Sequence, residues 1–143
     1  VIVINGGIDS LDAAAQHLQR VDGVMLGRAA YHNPWLLADI DRRFYDEPGT
    51  ATTRAELVYR MLPYIEQELR AGTALKQVTR HMLGLFQGVP GARRWRRYLS
   101  EHAHRPGAGT DVLLAALEHT GAAGIAADTM NRTGSWRQSS TSP

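Results

Sequence analysis

"VIVINGGIDSLDAAAQHLQRVDGVMLGRAA", residues 1–30, decides how this chain is read. Val1-Ile2-Val3-Ile4 is β-branched and apolar at every position, with no alternation towards water. That pattern suits a strand buried on both faces of a parallel sheet. Asn5-Gly6-Gly7 follows as a tight turn in which two glycines can take positive φ. Asp9 or Ser10 can cap the next helix, where Leu11, Ala14, Ala15 and Leu18 recur at helical spacing. Gly23-Val24-Met25-Leu26 is a second apolar strand, ending at Gly27-Arg28. Strand, helix and strand in this span make a βαβ unit with parallel strands and a right-handed crossover. Little else in the 143 residues reads as strand, so the chain is expected to be the tail end of a larger α/β protein.

Downstream the periodicity is helical. Asn33-Pro34 is a cap followed by proline at the first turn, opening a helix with Trp35, Leu36, Leu37, Ile40 and Phe44. Residues 46–52, DEPGTAT, form a polar linker and a domain boundary. Thr53-Arg54-Ala55-Glu56 matches the capping box, and Leu57, Met61, Ile65 and Leu69 line one face beyond it. Pro63 lies inside that helix and is expected to kink it near Tyr59. Leu75, Val78, Met82 and Phe86 mark the next helix, which stops at Gly88-Val89-Pro90-Gly91. Ala92, Trp95 and Leu99 face inward on another, and Thr110 caps a last one carrying Leu113, Leu114 and Leu117. Residues 120–143 are rich in Gly, Ala, Ser and Thr and read as a disordered tail.

Composition narrows the classes. The chain is 43% hydrophobic and 21% charged, ordinary for a soluble domain, and has no apolar run of the length a membrane helix needs. It contains no cysteine, which removes disulfides, thiolate metal sites and a cysteine nucleophile from these residues and fits a cytoplasmic setting. The net charge of +2 is unevenly spread. Residues 1–75 hold seven Arg against ten acidic residues. Residues 76–105 hold Lys76, Arg80, Arg93, Arg94, Arg96, Arg97 and Arg105 against Glu101 alone, a footprint suited to a polyanion.

Two groups of residues are candidates for function. The first is the pair of turns, Asn5-Gly6-Gly7 and Gly27-Arg28. Ligands of parallel α/β sheets bind at the carboxyl ends of the strands, and glycines there expose backbone N–H groups to an anion. In a (β/α)₈ barrel the loops after the last two strands often form a phosphate site. On spacing alone, a plain βα turn without a ligand is as good a reading. The second is "ARRWRRYLS", residues 92–100. On a helix Arg93, Arg96, Arg97 and Ser100 share one face while Trp95 and Leu99 point to the core; Lys76 and Arg80 are four apart on the preceding helix. Guanidinium groups make two-point contacts with phosphate, so such a face can grip an RNA backbone. A solvated arginine stripe is the plainer reading of the residues by themselves. His102 and His104, two apart, point to different helix sides and complete no metal site. His32 is expected to pack near the Asn33 cap, Trp35 in the core, and Asp39 and Asp41 in solvent.

"NGGI", "DGVMLGRAAYHNPW" and "RHMLGLFQGVPGARRWRRYLSEHAHRPGAG", in this order, resemble the C-terminal part of the tRNA-dihydrouridine synthases, in particular the A subfamily. The likeness runs from residue 1 to about residue 119. It implies an N-terminal (β/α)₈ TIM barrel that holds FMN, followed by an all-α helical-bundle domain. It also implies reduction of a uridine in the D-loop of tRNA (position 20 or 20a) to 5,6-dihydrouridine, with NADPH reducing the flavin. By this resemblance residues 1–45 close the barrel, Val1–Ile4 and Gly23–Leu26 being its seventh and eighth strands. Asn5, Gly6, Gly7, Gly27 and Arg28 then face the flavin phosphate, and residues 53–119 form the tRNA-binding domain. Arg93 and Arg96 fall on a basic pair that helps set how tRNA docks, with Arg97, Lys76 and Arg80 beside them.

The family's proton-donating cysteine and its flavin-contacting lysine lie on parts of the barrel absent from these residues, so the chain is expected to be inactive alone. A monomeric complete enzyme without metal or membrane attachment is expected. Two other readings share parts of the pattern. A phosphate-binding flavin barrel acting on a small molecule shares the glycine turns but has no need of the arginine helix. A non-enzymatic RNA-binding helical module needs the arginines but no flavin.

Overall fold

The computed structural model describes residues 1–48 and 53–122. Residues 49–52 of the expected linker and residues 123–143 of the expected tail lie outside the described residues; Thr120, expected to begin the tail, instead ends the last helix and is buried. Among the described residues the chain is mostly helical, with one parallel two-stranded sheet.

Strand β1 (Val3–Asn5) pairs with β2 (Gly23–Met25) in the register Val3↔Gly23, Ile4↔Val24 and Asn5↔Met25. The crossover is helix α1 (Leu11–Leu18), which turns Leu11 and Ala14 inward. Ser10 rather than Asp9 is its cap: Ala13 N–H donates to Ser10 Oγ at 3.2 Å. The pairing is steadied at its start by Asp22, whose carboxylate accepts from Ile2 N–H at 2.6 Å. The first strand, expected over Val1–Ile4 and buried on both faces, instead spans Val3–Asn5 and leaves much apolar surface exposed. Val1 is fully exposed, Ile2 and Val3 are 61% and 60% exposed, and Met25 is 43% exposed.

Among the described residues both strands are edges, so their hydrogen bonds open without disturbing a core. In the 143-residue chain the amides of residues 1–28 are expected to exchange far faster than those of the buried helices below. Equal protection of both regions in a monomer, measured by hydrogen exchange, would contradict this.

Past β2 the chain forms a short helix α2 (Arg28–His32), then a 3₁₀ segment (Pro34–Asp39), then α3 (Ile40–Phe44). The single helix expected from Asn33-Pro34 is therefore divided, and its cap is not made as expected. Asn33 N–H closes α2 on Ala29 C=O at 2.9 Å and its own C=O accepts from Leu36 N–H at 3.0 Å. Its side chain makes no capping bond, and Oδ1 is buried without a partner among the described residues. Trp35, expected in the core, is half-buried and packs against it. Asp39 is paired with Arg42 rather than merely solvated.

Helix α4 (Arg54–Arg70) runs on through Pro63, with Thr53 Oγ1 accepting from Glu56 N–H at 3.0 Å. Its deepest residues are Ala55, Val58 and Ile65; Leu57, Met61 and Leu69 are half-buried. The helix packs on two neighbours, α5 (Leu75–Thr79) and α7 (Thr110–Thr120), so its buried arc is not the single expected stripe.

The helix expected over residues 75–86 is also cut short. After Thr79 the chain turns repeatedly through i→i+3 bonds as far as Val89. Tertiary partners take the carbonyls that a helix would use. Trp95 Nε1–H donates to Met82 C=O at 2.9 Å, and Arg54 Nε–H donates to Leu85 C=O at 2.9 Å. Gly84 lies so close to α2 that a β-carbon there would be 2.0 Å from the His32 carbonyl oxygen. Helix α6 (Ala92–His102) then buries Trp95 and Leu99 and packs extensively on α7. Thr110 is the first residue of α7, not its cap; Gly109 holds the cap position. The core unites Val58, Ile65, Phe86, Trp95, Leu113 and Leu117.

Candidate functional site

Asn5, Gly6, Gly7, Gly27 and Arg28 all line one cavity of about 670 Å³ at the carboxyl ends of β1 and β2. Parallel pairing explains this, because it puts both strand-end turns on the same edge. Gly6 and Gly7 adopt φ of 106° and 71°, values that strain any residue with a β-carbon. A β-carbon at either would meet nothing within 4 Å. No described residue therefore fills the space beside the turn. Gly27 has negative φ, and no side chain caps α2 behind it. The first N–H groups of α2 thus lack intrahelical partners at the cavity wall.

The cavity has further residues that the motif did not single out: Ile8, Asp9, Met25, Ala29 and His32. The packing role expected for His32 beside Asn33 is not what the structure shows. His32 is exposed, and its ring meets Tyr31 edge-on at 5.9 Å. The signal for it is its place one turn past Arg28, on the same strand-end helix. Asp9 and Arg28 line the same cavity, so its side chains bring one carboxylate and one cation to it beside the backbone donors.

The second group lies on α6. Arg93, Arg96, Arg97 and Ser100 are exposed together on its outer face, opposite the buried Trp95 and Leu99. Arg96 donates to Gln87 Oε1 at 2.8 Å and Arg97 to Glu101 Oε1 at 2.8 Å. The Arg97 hydrogen bond holds the Glu101 carboxyl below its usual range, and that carboxylate raises the Arg97 guanidinium in turn. Arg93 has no hydrogen bond or ion pair among the described residues. Lys76 lies within α5 and Arg80 at its end, both exposed; Arg80 Nε–H donates to His81 Nε2 at 3.0 Å. Arg54 is different. Its guanidinium sits 4.7 Å over the Trp35 ring, and burial lowers its pKa, so it belongs to the fold.

A dihydrouridine synthase family model matches residues 1–123. The chain belongs to the dihydrouridine synthase family. This is a family of flavin-dependent oxidoreductases. The chain is similar to the tRNA-dihydrouridine(20/20a) synthase of Vibrio cholerae, 53% identical over 116 residues, or 81% of this chain and 36% of the relative. It is also similar to the enzymes of the same description from Escherichia coli strain K12 and Salmonella typhi. These are 57% and 56% identical over 115 residues, 80% of this chain and 33% and 35% of theirs. The chain therefore spans about a third of the length of these relatives. Both the glycine turns and the arginine helix fall inside the span matched to the dihydrouridine synthase model. No helix of the described residues is long and apolar enough to cross a membrane.

Proposed function

We infer that these residues are the C-terminal part of an FMN-dependent tRNA-dihydrouridine synthase of the 20/20a type. Residues 1–45 would close its (β/α)₈ barrel and residues 53–119 form its tRNA-binding domain. The convergence of both glycine turns in one open cavity, within a chain of this family, carries the reading. Backbone N–H groups of Gly6, Gly7 and the start of α2, with the Arg28 cation, fit the phosphate of FMN. The flavin, when bound, supplies hydride transfer to the uracil ring, with NADPH as its reductant. The residues of this chain bind and orient; none of them is assigned the proton donor's part.

The arginine helix supports tRNA over a small-molecule substrate. Ala92, Arg93 and Arg94 form the first turn of α6, which has no acidic residue and no side-chain cap. Cations at the positive end of a helix are unfavourable for stability, so their presence there favours an anionic partner.

Gly7→Val tests the flavin assignment. The left-handed backbone strains the valine, and its side chain enters the cavity where the phosphate would lie. The complete enzyme carrying Gly7→Val should retain much less FMN after gel filtration, read by flavin absorbance. Unchanged retention would count against the phosphate assignment.

A further inference from the structure

We propose that the groove between α4 and α5 holds one unstacked nucleobase of the RNA gripped by the arginine face, a proposal that rests on the tRNA reading above. The groove is a concave space of about 450 Å³, within the size range of small-ligand sites. Its floor is aliphatic, from Met61 and Leu85, and its lining includes Tyr64 and His81. Tyr64 is 50% exposed, a large aromatic left uncovered on α4 at the edge of a cavity. Every base has a π-face, so such a ring is a stacking platform that does not depend on sequence.

The polar groups suit a base edge better than a phosphate. Arg80 Nε–H donates to His81 Nε2, which leaves the proton of a neutral His81 on Nδ1 as a donor. Gln77 spends Oε1 on Ala74 N–H at 3.2 Å, so its amide NH₂ remains to donate. Glu68 accepts the Thr73 hydroxyl on Oε2 at 2.9 Å, and Oε1 remains to accept. Two donors and an acceptor around an apolar floor fit a heterocycle edge, whereas the Glu68 carboxylate repels an anion.

The surroundings connect the groove with both functional groups. Tyr31, 56% exposed, meets His81 edge-on at 5.7 Å and also His32, which lines the glycine-turn cavity. Arg80 is hydrogen-bonded to His81, which lines the groove. Proteins that read single-stranded RNA place unstacked bases on aromatic rings next to basic backbone contacts, the combination met here.

The test measures affinity of the complete enzyme for an unmodified tRNA transcript over a salt series. Tyr64→Ala should weaken binding about fivefold or more with an unchanged salt slope, since stacking releases no counterions. Tyr64→Phe keeps the ring and should bind within about twofold of the parent. A transcript carrying 4-thiouridine should crosslink, in the unsubstituted enzyme, to peptides containing residues 64–81. Suppose Tyr64→Ala binds like the parent while Arg93→Ala with Arg96→Ala still loses affinity. The base groove is then overturned and the tRNA reading stands; a groove serving a protein partner would give that result. Crosslinks only outside residues 64–81 also overturn it, even should Tyr64→Ala misfold. A parent enzyme that binds no tRNA overturns both.

Discussion

Trp95→Ala is expected to unfold the helical part of the chain at temperatures where the parent is stable. Trp95 is completely buried, its ring lies 4.8 Å from that of Phe86, and its Nε1–H donates to the Met82 carbonyl. Truncating a buried tryptophan to alanine typically costs about 3–5 kcal/mol. A domain's whole stability is about 5–15 kcal/mol, so a loss of that size removes much of it. The indole also holds the turn at Met82 that follows α5, so the damage spreads beyond α6. Trp95→Phe separates the two contributions: it keeps an aromatic ring beside Phe86 but gives up the hydrogen bond, and should fall between parent and alanine variant. Urea unfolding followed by circular dichroism measures all three. A Trp95→Ala protein within about 1 kcal/mol of the parent would mean that α6 is not held by this residue.

In the complete enzyme proposed above, Arg93→Ala with Arg96→Ala should do the opposite: leave the fold and weaken binding of tRNA. Both side chains are exposed, so the core packing is untouched, and removing Arg93 from the first turn of α6 relieves a charge that opposes the helix dipole. Melting temperature should stay level or rise slightly. Every phosphate that is no longer neutralised should lower the slope of log affinity against log salt by about 0.9 on duplex RNA and about 0.7 on single strands, taking the values for DNA. The weakening is therefore greatest at low salt. If the proposed enzyme binds FMN as inferred above, its oxidation of NADPH should be untouched, because neither arginine lines the glycine-turn cavity. An unchanged affinity and slope in the double variant would return this face to a solvated arginine stripe and favour the small-molecule reading.

The two groups of candidate residues are legible in the sequence to different degrees. The turn residues are readable because a βαβ unit fixes where both strand ends lie. Local pattern alone therefore brings Asn5–Gly7 and Gly27-Arg28 together. The arginine face is readable from helical spacing, and the exposed set Arg93, Arg96 and Arg97 matches it. His32 and Asp9 are not legible as site residues, because neither belongs to a glycine turn and only the folded cavity shows that they line it.

The sequence by itself determined the βαβ unit, its parallel strands, the cap at Thr53, the inward Trp95 and Leu99, and the family. Each depends on neighbours within a few residues or on a long motif. The tertiary structure decided where the helices stop. Residues 75–86 have a helical period, yet they leave the helix after Thr79. Met82 and Leu85 carbonyls bond to Trp95 and Arg54, residues 13 and 31 positions away, and Gly84 yields its space to the His32 carbonyl. Those partners compete with the i→i+4 bond at the same carbonyl oxygens, and a periodicity read along one segment contains no term for them.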